Sequence, residues 1–344
     1  MLVSIIVPVR NESARIEATL GCLARQDFAA DEFEIIVVDG QSDDDTWQRV
    51  QRWKDIIPQL NLCANPKRLS SSARNVGIRQ STGWYVVIVD GHCEIHDTQY
   101  LKNVVAAFEV SGADCLGRPQ PLRMSGANEF QRVVAVARES WLGHNPDSDI
   151  YSDQARFVPP DNVAVAYRRE VFDKVGFFDE QFDACEDVEF NLRVREAGLT
   201  CYFAPSIKVD YQPRRTLRGL AYQMARYGRG RSRLWRKHPG SITLPGLVPA
   251  ALLVWLMTAL ALSAVHRAFA VVFLATALAY LLSLTAESLR LSRRHPLRLT
   301  ARAPLVFMAI HAGFGWGFLR DRLTFRRRRN RQRPSRSRSP LPAP

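Results

Sequence analysis

The sequence predicts an α/β fold, a Rossmann-like mixed but mostly parallel sheet, followed by C-terminal membrane helices. Three observations carry that expectation. Over residues 1–240, short β-branched apolar runs alternate with stretches of helical apolar spacing, the pattern of strands joined by crossover helices. Three of those runs end in acidic or polar residues, which places them at one sheet edge, where such sheets bind ligands. Beyond residue 240, two uncharged apolar stretches are each long enough to cross a bilayer core.

Taken in order, "VSIIVPV" is the first strand and 12–25 the first helix. "FEIIVVDG" is the second strand, 46–55 a helix, and "LNLCAN" a weaker third strand. "SSARNVGIRQ" opens a helix with serines suited to its N-cap, and "WYVVIVDG" is the fourth strand. Residues 1–240 thus form one globular unit. The stretches 244–265 and 268–286 read as a tight transmembrane hairpin, since two helices apolar all round are hard to bury in so small a protein. A shorter, glycine-bearing stretch, 304–319, is ambiguous, and residues 321–344 read as a basic disordered tail.

The net charge of +13 raises the question of nucleic acid. Residues 1–240 carry 31 Lys or Arg against 32 Asp or Glu, whereas 320–338 alone carry ten Arg and one Asp. The basic character therefore belongs to the tail, and no nucleic-acid partner is expected. Six scattered cysteines without a CxxC pair argue against structural zinc and against a disulfide framework. The amino end lacks the basic and apolar regions of a secretory leader, so a cytoplasmic globular unit is expected.

The strand ends converge on candidate chemistry. The first ends in Pro8-Val9-Arg10-Asn11-Glu12, the second in Asp39-Gly40-Gln41-Ser42-Asp43-Asp44, and the fourth in Asp90-Gly91-His92. Asp90 and His92 flank a glycine and can both face one ion. The carboxylate suits Mg²⁺, and the imidazole tilts preference toward Mn²⁺. Farther on, Glu186-Asp187 opens a helix with Val188, Leu192 and Val194 on its buried side. Acids there can answer the helix dipole, or Asp187 can point into the cleft as a general base.

The motifs "VSIIVPVRNE", "EIIVVDGQSDDDT", "ARNVGI", "VVIVDGHCEI", "VAYRREVFDKVGFFDE" and "CEDVEFNLRVREAG" occur in an order and spacing that resembles family 2 inverting glycosyltransferases of the GT-A fold, over roughly residues 1–240. The resemblance implies that Pro8, Glu12 and Asp39 hold the nucleoside of a nucleotide sugar, with Asp43 and Arg74 as lesser contacts. It implies that Asp90 is the first acid of the family's DxD motif, with His92 where the last acid normally stands. Asp187 matches the base of the family's "ED" pair, beside Glu186. "PPDNVAVAYRRE" is similar to the segment that touches donor sugar, with Asp161 and Asn162 in it. "QMARYGRGR" resembles a QxxRW motif with Tyr227 for Trp, so that Gln223 and Arg226 approach the pyrophosphate and the acceptor. The Asp-x-His signature, "YGRG" and the trailing "HAGFGWGFL" most resemble ExoA-type enzymes, which build exopolysaccharide on a polyprenyl diphosphate carrier.

These implications define the expected activity: hexose transfer from a nucleotide sugar, most simply UDP-glucose, to a polyprenyl-linked glycan acceptor, with Mn²⁺ or Mg²⁺ as cofactor and membrane lipids as surroundings. A small processive synthase and an inactive glycan-binding scaffold are the rival readings. The expected location is the inner membrane, with the catalytic domain in the cytoplasm. Arg290, Arg293, Arg294, Arg298 and Arg302 place the loop after the hairpin on that side. The basic tail opposes a third span, so 304–319 is expected to lie in the interface, or to dip in and return.

Overall fold

The computed structural model describes residues 1–122, 126–144, 149–150, 152–241 and 243–331. Ten strands run β1 (Val3–Val9), β2 (Phe33–Asp39), β3 (Leu60–Ala64), β4 (Tyr85–Ile88), β5 (Cys93–Glu94), β6 (Cys115–Gly117), β7 (Arg156–Val158), β8 (Ala164–Arg168), β9 (Cys201–Phe203) and β10 (Asp210–Tyr211). The helices are α1 (Ile16–Ala24), α2 (Thr46–Trp53), α3 (Ser70–Gln80), α4 (Tyr100–Ser111), α5 (Glu129–Arg138), α6 (Glu170–Val175), α7 (Glu186–Glu196), α8 (Leu217–Lys237), α9 (Leu244–Ser263), α10 (Arg267–Leu291), α11 (Leu297–Thr300) and α12 (Ala303–Arg331).

Eight strands form one sheet in the order β3-β2-β1-β4-β8-β6-β9-β7. Its first half is parallel, as the strand–helix alternation requires. β8 enters antiparallel between β4 and β6, and β7 closes the far edge antiparallel to β9. β2 is buried throughout and β1 nearly so, with apolar side chains entering both faces of the sheet. One core cluster joins Ile5, Val7, Ile35, Val87 and Leu116 to α1 and α4. The other joins Ile6, Ile36, Val86 and Tyr167 to α3, α6 and α7. The carboxyl ends of β1, β2 and β4 therefore share one rim.

Past the sheet, α9 and α10 are long and apolar enough to cross a membrane. Val248, Met257, Leu260, Val271, Leu274 and Leu278 all lie exposed on them. α10 runs past the expected boundary at 286 to Leu291. The chain beyond α10 departs further from expectation. The stretch 304–319 neither dips in and returns nor stands alone; it is part of the continuous helix α12, which extends through the first part of the expected disordered tail to Arg331. Residues 332–344 lie outside the described residues. α12 is held because it packs along α8: a third core cluster unites Leu220 and Met224 with Val306 and Phe307. Asp321 accepts hydrogen bonds from Ser232 at 2.8 Å and from Arg236. Cation–π contact seats Arg322 3.9 Å over Trp235.

Candidate active site

The loops after β1 and β2 are laced together. Asn11 donates its backbone N–H to Ser42 Oγ at 2.9 Å, and its side-chain oxygen accepts the Asp43 N–H at 2.8 Å. Asp39, buried at the end of β2, accepts the Ser42 N–H at 3.0 Å. Asp43 itself is exposed, 3.8 Å from Arg10, and Pro8 is half-buried near the end of β1. Asn11, Gln41, Arg68 and Cys185 adopt left-handed backbone with φ between 54° and 63°. Such conformations cost of order 1–3 kcal/mol each for residues with a Cβ, and they gather at binding and catalytic sites.

β4 ends at Ile88, and the chain turns at Asp90-Gly91-His92. Gly91 is required there, because a Cβ would overlap the Val9 side chain. His92 does not stand alone with Asp90: its Nδ1 lies 3.0 Å from Glu12 Oε1, and its ring meets Tyr211 edge-on at 5.6 Å. Glu12, which the resemblance assigned to the nucleoside, thus orients His92. Tyr211 is carried by the small ribbon pairing β10 with β5, and its hydroxyl accepts from Gln223 Nε2 at 3.0 Å. Gln223 also donates to Tyr227 Oη at 3.0 Å.

Arg74, expected as a lesser nucleotide contact, joins two of the site's acids. It is buried, with one terminal nitrogen 3.6 Å from Asp90 and also 3.6 Å from Glu186. Burial disfavours its charge, but Glu186, Asp90 and Asp187 more than compensate and raise its pKa. Crowding likewise opposes ionisation of Asp90, yet Arg74, His92 and Arg118 hold its carboxyl below the ordinary range. Burial pushes the Glu186 carboxyl upward, with Arg74 opposing and Asp187 adding to the rise. Arg118, which the sequence reading missed, donates to Tyr100 Oη at 2.8 Å and to the Ile88 carbonyl at 3.2 Å beneath this site. Its flag in the sequence is slight: an arginine between a strand-ending glycine and a proline.

The "ED" pair divides. Glu186 is buried against Arg74, while Asp187 in the same first turn of α7 is exposed, its Oδ1 accepting the Val188 N–H at 2.8 Å. Adjacent helical residues point about 100° apart, so one acid packs and the other stays exposed. α8 closes against this turn: a Cβ at Gly230 would lie 2.5 Å from the Ala184 carbonyl oxygen. Arg226 donates to the Asp183 carbonyl in the approach to α7. Asp161 accepts from Arg195 at 3.0 Å, and Asn162 lies in the same 3-10 turn, Pro160–Asn162.

Replacing Arg74 with Met would leave Glu186 buried without its cation. The expected loss is about 3–5 kcal/mol of stability, the scale for breaking a buried ion pair from one side. Thermal unfolding of the variant checks it; a Glu186→Gln second change should restore part of the loss.

Among the described residues, no group of three or more His, Cys, Asp or Glu gathers to hold a metal. Two donors are on hand, Asp90 and His92. That set suits Mg²⁺ or Mn²⁺, which complete their shells with phosphate oxygens and water. The Glu12 contact fits as well: a carboxylate on Nδ1 fixes the ring and leaves Nε2 as the donor.

The family 2 glycosyl transferase model matches residues 4–176, which spans the parallel half-sheet, the loop lattice and Asp90. The chain belongs to glycosyl transferase family 2. Residues 161–337, from the turn before β8 through α12, also match the model of glycosyl transferase family 21. The chain is 29% identical over 330 residues to the succinoglycan biosynthesis protein ExoA of Rhizobium meliloti (strain 1021), covering 94% of this chain and 96% of that protein. It is 22% identical over 327 residues to a dolichyl N-acetyl-alpha-D-glucosaminyl phosphate 3-beta-D-2,3-diacetamido-2,3-dideoxy-beta-D-glucuronosyltransferase of Methanococcus voltae, covering 92% and 96%. The fold matches the mannosyltransferase PcManGT of Pyrobaculum calidifontis, solved with GDP-Man and Mn²⁺, at a TM-score of 0.57 and 21% identity over 91% of this chain and 87% of that one. The GT-A fold and glycosyltransferase activity read from the motifs are thereby borne out.

Proposed function

We propose that this transferase is a membrane-bound inverting enzyme that moves a hexose, most simply from UDP-glucose, to a lipid-linked or polysaccharide acceptor in envelope glycan or exopolysaccharide synthesis. The observation that carries the reading is the division of the acids: Asp187 exposed at the cleft, with Glu186 and Asp90 both tied to buried Arg74. Relatives named for succinoglycan synthesis and for a dolichyl-phosphate-linked acceptor support the acceptor class.

In this mechanism the nucleoside lies against Pro8, Asp39 and Asp43, and Asn162 lies toward the donor sugar. Gln223 holds Tyr211 and Tyr227 as one wall, and Arg226 fixes the approach to α7. Asp187 takes the proton from the acceptor hydroxyl as that oxygen attacks the anomeric carbon from the face opposite the leaving nucleotide, so the configuration inverts. Asp90 and His92 would hold Mn²⁺ or Mg²⁺, whose charge would favour departure of the diphosphate. The test is a panel of nucleotide sugars offered to the full chain in detergent, with Mn²⁺ or with excess chelator. One donor should be turned over, and chelation should abolish turnover. No turnover of any donor overturns the reading, and full activity in chelator removes the metal from it.

The reading also sets topology. With the catalytic domain in the cytoplasm, α9 leaves and α10 returns. The arginine-bearing loop and α12, packed on α8, then stay on the cytoplasmic side at the lipid headgroups. A reporter fused after Pro344 should signal in the cytoplasm only; external labelling there would overturn this arrangement.

A further inference from the structure

The exit of β6 brings a buried cation beneath the Asp90 turn. A Cβ at Gly117 would lie 2.5 Å from the Val163 side chain, and the pairing of β6 with β8 slips register between Leu116 and Gly117. That slip turns the chain, and Arg118 enters the interior, 5% exposed. Its guanidinium donates to the Ile88 carbonyl at 3.2 Å and to Tyr100 Oη at 2.8 Å. Tyr100 is the first residue of α4 and is fully buried. Among the described residues, both partners of Arg118 are neutral oxygens, and its Nε is buried with no partner.

Withdrawing a guanidinium from water to meet only neutral partners is costly, so its place calls for a reason. The reason lies in what the elements around it carry. Ile88 is the last residue of β4, and Asp90 follows two residues on, in a turn closed by the Cys93 N–H on the Asp90 carbonyl at 3.0 Å. The segment after Arg118 supports the neighbour of the other cation donor. The Pro119 carbonyl accepts the Val209 N–H at 3.2 Å, and the Pro121 carbonyl accepts the Tyr211 N–H at 3.0 Å. Between the two prolines, Gln120 Nε2 donates to Cys93 Sγ at 3.9 Å. Tyr211 in turn meets His92 edge-on.

Arg118 therefore stands where the supports of Asp90 and His92 meet. Its backbone leads into the segment that holds Tyr211, and its side chain holds the strand that delivers Asp90. The planar fork of arginine reaches a carbonyl on β4 and a phenol on α4 at once, which a point-like ammonium on a flexible stem does poorly. We propose that Arg118 is a positioning residue that sets Asp90 and His92 for a divalent cation, an inference that rests on the function proposed above. Its action is indirect, through the Ile88 carbonyl on one side and the segment 119–121 on the other.

The test counts Mn²⁺ on the full chain in detergent micelles by electron paramagnetic resonance, with UDP present. Arg118→Lys should weaken Mn²⁺ binding about 10- to 100-fold, the usual cost of losing a residue that orients metal ligands. Tyr100→Phe keeps the charge and removes one anchor, so it should weaken Mn²⁺ by about three- to tenfold, the scale of one hydrogen bond. In turnover, the Mn²⁺ concentration giving half the maximal rate should rise by the same factors, while kcat at saturating Mn²⁺ stays within about twofold of wild type. A residue that merely stabilised the fold would lower Tm and leave that concentration in place. Mn²⁺ affinity of Arg118→Lys within about twofold of wild type overturns the proposal, as does a fall in kcat with the affinity unmoved. If Arg118→Lys does not fold, Tyr100→Phe decides by the same criteria. Asp90→Asn should abolish Mn²⁺ uptake, which identifies the ion being counted. Wild-type protein that takes up no Mn²⁺, or Asp90→Asn protein that takes up as much as wild type, overturns the proposed cation site and this inference with it. Unmoved Arg118 and Tyr100 variants beside a functioning wild type overturn this inference alone.

Discussion

Asp187→Asn is expected to lower turnover about 10²- to 10⁴-fold while leaving UDP binding within about twofold, because it removes a proton acceptor and keeps the shape. The structure makes the expectation specific to this acid. Asp187 is exposed at the start of α7, whereas Glu186, one residue earlier, is buried 3.6 Å from Arg74 and cannot reach an acceptor hydroxyl without giving up that pair. The two acids should therefore fail differently. Asp187→Asn should keep the wild-type Tm and lose kcat. Glu186→Gln should lose stability, through the weakened contact to Arg74, and retain more turnover than the Asn variant. Steady-state kinetics beside thermal unfolding separates the two. Near-normal turnover of Asp187→Asn, or the reverse ranking of the two variants, removes Asp187 from the role of base.

In the parallel half of the sheet, β1, β2 and β4 were legible because they are buried on both faces and read as β-branched runs, whereas β3, half-exposed and without a β-branched residue, read more weakly. The same runs located the rim, since the residues just past such a strand are delivered to its carboxyl end. The illegible part came from contacts distant in sequence. Nothing near Glu12 says that its carboxylate meets His92, 80 residues on. Nothing near Arg74 says that two acids from different elements share it. Of the later strands, β5, β6, β7, β9 and β10 are two or three residues each and fall below the length at which alternation can be read. The first part of the tail, through Arg331, is helical rather than disordered for a related reason. Its composition is that of a disordered segment, but Asp321 and Arg322 are claimed by partners on α8, and a helix that gains tertiary packing no longer depends on composition alone.

Gly317→Val is expected to separate α12 from α8 and lower Tm by about 10 °C, corresponding to a loss of at least about 3 kcal/mol. The glycines of 304–319 look like helix breakers or flexible points in the sequence; in the structure they are where two backbones touch. A Cβ at Gly317 would overlap the Ala225 carbonyl oxygen, one at Gly228 would overlap that of Phe314, and one at Gly313 would lie 2.7 Å from that of Ala221. Small residues four apart let helices approach this closely. A backbone carbonyl cannot turn aside as a side chain can, so the cost should sit at or above the upper end of ordinary overpacking. Because α8 also carries Gln223 and Tyr227, the separation should reach the cleft and depress turnover along with stability. Two controls isolate the cause. Gly240→Val adds the same side chain where nothing lies within 4 Å and should be nearly neutral. Gly315→Val, whose Cβ would lie 2.6 Å from the Pro249 carbonyl oxygen, should loosen the α9 contact while leaving α8 against α12. It should therefore destabilise the protein with less effect on turnover. Wild-type Tm and activity for Gly317→Val would mean that α12 is not held to α8 by this seam.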